Sequence, residues 1–142
     1  MRTSGTDNWC HAPNPQTGLA GYSRYHQRLH RRYETEFALL AAGAPVRADM
    51  ELTLEALRQQ GLDCGAALRV LRQVVMERLI RLDCESLAPL ADITRAMTDL
   101  AELALDCACR QVCQDLTEVH GAALGPEGQI VQLWIIGMGK LG

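Results

Sequence analysis

Three glycines and a lysine fall within one hexapeptide, Gly137-Met138-Gly139-Lys140-Leu141-Gly142, directly after the apolar run Val131-Gln132-Leu133-Trp134-Ile135-Ile136. Glycine has no Cβ, so the backbone N–H groups of such a loop approach an anion closely. Lys140 adds a mobile positive charge. The chemistry indicated is the holding of a phosphate group, with Gly137, Gly139, Lys140 and Gly142 as the candidate binding residues. No catalytic residue and no metal ligand is assigned to the loop.

A loop of this kind needs a rigid element to deliver it. The run before it has the length and β-branched content of a buried strand over residues 130–136. A strand with half a glycine loop cannot complete a sheet by itself, and this predicts that the chain is a piece of a longer protein. Residues 121–128 read as a turn-rich connection into the strand. Upstream, the spacing predicts four helices. Tyr22, Tyr25, Leu29, Tyr33, Phe37 and Leu40 recur at helical steps over residues 19–42, with Gly43 and Pro45 as the stop. A second helix is expected over residues 47–60, closed by Gly61. A third follows Asp63 as N-cap and runs to residue 83, with Leu68, Leu71, Val75, Leu79 and Leu82 on one side and Arg69, Arg72, Arg78 and Arg81 beside them. The fourth starts at Ser86 or at Asp92, carries a stripe of Ile93, Met97, Leu100, Ala104, Cys107 and Leu116, and ends near His120 with Gly121 as cap. The predicted organisation is thus a flexible leader (residues 1–18), a helical region (19–127) and a strand with its loop (128–142).

Composition agrees with a mainly helical domain. Of the 142 residues 48% are hydrophobic, 22% are charged and only 4% are aromatic, which favours helix-on-helix packing over a sheet sandwich. A net charge of −3 sets up no field that would draw nucleic acid or an anionic membrane. The basic positions of the first helix, Arg24, Arg28, His30, Arg31 and Arg32, read as a solvated face. The sequence shows no membrane-spanning run and no apolar signal segment, and the protein is expected in the cytoplasm. The six cysteines lack any paired C-x-x-C spacing and read as free buried thiols acting as small hydrophobes. His120 stands alone in the sequence and gets no ligand role.

Two enzyme classes share this loop pattern. Gly137-x-Gly139-x-x-Gly142 also fits the dinucleotide-binding fingerprint, which makes a dinucleotide-dependent oxidoreductase one alternative; a non-catalytic helical interaction module is another. The segments WIIGMGKLG (residues 134–142), LRVLRQVVMERLIRLDC (68–84) and LADITRAMTDLAELALDCACRQV (90–112) together resemble the glutamine synthetase adenylyltransferase/adenylyl-removing enzymes.

That resemblance implies a helical N-terminal region followed by a nucleotidyltransferase domain of the polymerase-β-like type, whose first strand ends in G-x-G-K-L-G. It makes Gly139, Lys140, Leu141 and Gly142 the start of the nucleotide-phosphate loop, with Gly137 at the strand end. The family's metal-binding aspartates sit in an S-D-x-D segment beyond this loop, so magnesium is implied for the longer protein with no ligand in this chain. A bifunctional activity is implied, adding AMP from ATP to glutamine synthetase and removing it with phosphate to release ADP, with glutamine synthetase and the PII signal protein as partners. Met138 inside GMGKLG places the segment in the adenylyl-removing half. Gln73 and Val74 stand where the family has a denser basic run, which weakens any ligand role for that helix.

Overall fold

The computed structural model describes residue 18 and residues 23–137, and within them the chain is helical: α1 (Arg24–Tyr33), a 3-10 turn (Glu36–Leu39), α2 (Arg47–Gln59), α3 (Cys64–Cys84) and α4 (Leu90–His120). The leader expected over residues 1–18 lies outside the described residues apart from Gly18.

Helix α3 is the centre of the bundle, packing against α1, α2 and α4. Its sequence explains why. Asp63 caps its start, accepting a hydrogen bond from the Ala66 N–H. Leu71, Val75 and Leu79 form the expected buried stripe, but Ala67, Val74 and Glu77 are buried as well, because neighbours cover more than one side. Met50, Leu54 and Leu57 of α2 and Ala96, Leu100 and Leu103 of α4 complete the core with Leu40. Each fully buried leucine removes apolar surface worth roughly 1.5 to 3 kcal/mol from water. Gly61 sits past the end of α2 at φ +93°, where a side chain would be strained.

Three boundaries differ from the sequence expectation. The helix expected over residues 19–42 divides at Glu34 and leaves helical geometry at Leu40. Distant side chains stabilise this early exit: the Thr53 hydroxyl donates to the Leu39 carbonyl (3.1 Å), and the Arg78 guanidinium donates to the carbonyls of Ala41 (2.7 Å) and Gly43 (3.3 Å). Carbonyls that a longer helix would have paired internally are thereby satisfied. Helix α4 starts at neither Ser86 nor Asp92 but at Leu90, with Pro89 in the N-cap position. Its buried stripe is Ala96, Leu100 and Leu103, flanked by Ile93 and Cys107, whereas Met97 and Leu116 are exposed.

The end of the described chain departs most. No ladder strand forms among the described residues; the expected strand is represented by one antiparallel bridge between Leu124 and Ile130, and its run is open to solvent, with Trp134 80% and Ile136 84% exposed. A strand interior to a sheet would have its backbone groups paired by neighbours, and the described residues provide none past the Val131 N–H, which donates to the Ala123 carbonyl (2.9 Å).

Candidate functional site

Of the four candidate phosphate-binding residues, Gly137 alone is among the described residues; Gly139, Lys140 and Gly142 lie outside them. Gly137 borders a groove of about 490 Å³ between the start of α2, the middle of α4 and the terminal run, lined by Arg47, Glu102, Asp106, Cys109 and Trp134 among others. Arg47 dominates its electrostatics. Its guanidinium donates to Glu51 (3.0 Å), Glu102 (3.3 Å) and Asp106. These contacts, above all those to Asp106 and then Glu51, hold the Arg47 pKa above the usual arginine range. A phosphate entering the groove would have to displace carboxylates from Arg47, so the groove as it stands is not an anion site. It ties α2 to α4 beside the chain segment that leads into the glycine loop.

The second constellation is one that sequence reasoning missed. His26 and His30, four residues apart on α1, face Glu77 of α3, and both rings direct Nε2 at the same carboxylate oxygen, at 3.2 and 2.8 Å. Ser23 caps α1 by accepting from the His26 N–H, which fixes where the first histidine falls. Around the cluster, the His30 ring lies 4.5 Å from that of His26 and 5.0 Å from that of Phe37, and the Tyr25 hydroxyl donates to Gln73, one turn before Glu77 on α3 (2.7 Å). Glu77 and His26 are buried, whereas His30 stands at the solvent edge. The solvated basic face expected from the sequence holds for Arg24, Arg28, Arg31 and Arg32 and for His30, which is exposed but reaches Glu77 with its ring, whereas His26 is buried. The available signal was the i, i+4 histidine spacing, which without its partner on α3 points to nothing.

The remaining sequence candidates stay apart. Among the described residues the cysteines are free but not buried as expected, Cys64, Cys84, Cys107 and Cys109 being half-buried and Cys113 exposed, because they fall beside the packed helix faces; Cys109 and Cys113 share a face of α4 with sulfurs 4.0 Å apart. Desolvation, then the hydrogen bond with Cys113, raises the pKa of Cys109. Arg69 and Arg72 are exposed, Arg78 is spent on backbone carbonyls, and Arg81 pairs with Glu85 at 3.4 Å. Among the described residues no helix is long and apolar enough to cross a membrane.

Comparison with known proteins gives a family context. The sequence profile of the family described as Glutamate-ammonia ligase adenylyltransferase matches residues 19–142. Relatives named "Bifunctional glutamine synthetase adenylyltransferase/adenylyl-removing enzyme" include those of Ralstonia nicotianae, 36% identical over 130 residues (85% of this chain, 14% of the relative), and Aromatoleum aromaticum, 33% identical over 133 residues (92% and 14%). The relative from Chromobacterium violaceum is 44% identical over 77 residues, covering 54% of this chain and 8% of its own length. The chain therefore spans about a seventh of the first two relatives' length. No solved structure matches.

Proposed function

The chain belongs to the Glutamate-ammonia ligase adenylyltransferase family, and from that premise we propose that it is the helical region and opening phosphate loop of the adenylyl-removing half of a bifunctional enzyme regulating glutamine synthetase. The observation that carries this reading is the family match over residues 19–142, which runs through the glycine-lysine loop. The match does not favour a dinucleotide-dependent oxidoreductase or a non-catalytic interaction module.

In this reading residues 128–142 open a nucleotidyltransferase domain, and Gly137, Gly139, Lys140 and Gly142 begin the cradle for nucleotide phosphate. Phosphorolysis of an adenylyl-tyrosine releases ADP, and the opposite half transfers AMP from ATP. Both steps demand positioning and neutralisation of phosphate charge. A glycine loop supplies backbone N–H donors for this and Lys140 a movable cation. The wider partners are glutamine synthetase and the PII signal protein, and the setting is the cytoplasm.

Magnesium belongs to this chemistry but finds no fitting ligands here. The carboxylates beside Gly137 are Glu102 and Asp106, both paired with Arg47, and the 142 residues contain no S-D-x-D segment. Magnesium prefers a near-octahedral shell of oxygens with retained waters, which a carboxylate pair neutralised by a guanidinium does not offer. No step is therefore assigned to a metal on these residues.

The test is an assay of phosphate-dependent ADP release from adenylylated glutamine synthetase. The 142-residue chain should release none, and the chain extended to the length of its relatives should release ADP. ADP release by the 142-residue chain would overturn the placement of the chemistry, and tight NAD binding by the extended protein would overturn the class.

A further inference from the structure

Helix periodicity puts His26 and His30 on one side of α1, one turn apart, and that side faces α3. Glu77 is the residue that meets them, its carboxyl side chain only 4% exposed. An ionised carboxylate so far from water needs partners, and here both partners are imidazole nitrogens aimed at a single oxygen. The three potential donor atoms lie within 4.8 Å of one another. Two imidazole nitrogens and one carboxylate oxygen are a donor set suited to zinc and neighbouring first-row divalent ions, whereas calcium and magnesium favour shells built of oxygen.

The distances fit as well. Tetrahedral bonds of about 2.0 to 2.1 Å place neighbouring donors roughly 3.3 Å apart. The His–Glu separations of 3.2 and 2.8 Å are close to that spacing and the two imidazole nitrogens lie within 4.8 Å of each other, so an ion would replace the two hydrogen bonds through movement of the rings. The ring contacts between His26 and His30 and between His30 and Phe37 restrict how far either imidazole can turn away. The nearby arginines of α1 are solvent-exposed, where water and salt screen their repulsion of a cation.

We infer that His26, His30 and Glu77 form a divalent transition-metal site, of the class that takes zinc, which clamps α1 onto α3. Because the His30 side chain is 44% exposed, the site opens to solvent on that side, and water completes the coordination. The site is independent of the phosphate loop and of the family's transfer chemistry, and it is read without any activity assay.

The test is titration of the 142-residue chain with Zn2+, followed by calorimetry and by 15N spectra of the imidazole rings. The chain has four histidines, so the rings can be told apart by substitution. Zinc should bind one to one, shift the Nε2 resonances of His26 and His30, and leave His120 unmoved. His30→Gln, at the exposed edge of the cluster, should keep the helical circular dichroism and weaken zinc binding at least tenfold, while His120→Gln should leave binding unchanged. Glu77→Gln is the second variant and should weaken binding to a similar degree. Absence of zinc binding, unmoved His26 and His30 resonances at saturation, or undiminished binding in His30→Gln, as the cysteine thiols would produce, would each overturn the site.

Discussion

The helical body and the extension that follows it obey different rules. In the body, from Ser23 to Leu103, a core of apolar side chains is buried around α3, though Leu52, Leu87 and Leu90 stay exposed, and the buried polar groups are paired: Glu77 with two histidines, Thr53 with the Leu39 and Asp49 carbonyls. From Leu105 onward, the outer half of α4 and the run to Ile136 expose Val112, Leu116, Val119, Leu133 and Trp134, and the described chain has nothing to cover them. The body is held by tertiary packing; the extension is tied to it near its start, by the Arg47–Asp106 ion pair and by Cys107 against the core, and beyond that the described residues show local hydrogen bonds. Gly137, the described residue of the proposed phosphate loop, lies at the end of the less supported region.

The sharpest way to break that contrast is to remove comparable apolar groups from each region. Leu71 is fully buried, and Leu71→Ala should cost about 2 to 5 kcal/mol, through lost burial and the cavity left behind. Leu116 is 53% exposed, and Leu116→Ala should stay within about 0.5 kcal/mol. Chemical denaturation of both variants checks this; equal losses would mean that the extension is packed as firmly as the body. A smaller effect is expected from Asp63→Ala, which removes the cap of the central helix and should cost on the order of 1 kcal/mol in the same measurement.

The smallest effect concerns chemistry on the extension. Desolvation and the Cys113 hydrogen bond raise the Cys109 pKa, so its thiolate, the reactive form, appears only at higher pH than for an ordinary cysteine. Its alkylation by iodoacetamide, followed by peptide mass spectrometry, should therefore rise later with pH than that of an unstructured cysteine peptide. Cys113→Ser should move the onset back down. An onset at or below the peptide's would contradict the pairing of these thiols on α4.

Local signals were legible wherever one residue decides one boundary. The Asp63 cap, Gly61 after α2 and Gly121 after α4 stand where turn and cap chemistry places them. The register of α4 was harder to read. Two apolar stripes are interleaved one residue apart, and the small Ala96 with Leu103 packs inward in place of Met97 and Ala104, which decided the face by fit against α3 rather than by hydrophobicity. The early end of the first helical segment depends on Thr53 and Arg78, and the His26–His30–Glu77 cluster on residues up to 51 positions apart; neither leaves a periodic trace. The glycine-lysine loop is a proposal written in consecutive residues, and Gly139, Lys140 and Gly142 lie outside the described residues. The strand before it was not found as a ladder, since pairing is a property of neighbours and the described residues supply only the Leu124–Ile130 bridge.

The central claim is that Lys140 and its glycines hold phosphate during adenylyl removal, and one substitution tests it most directly. In the chain extended to the length of its relatives, Lys140→Ala should lower phosphate-dependent deadenylylation of glutamine synthetase about tenfold or more, roughly 1.4 kcal/mol of lost transition-state stabilisation, with folding unchanged. A folded Lys140→Ala protein with unaltered deadenylylation kinetics would contradict the account.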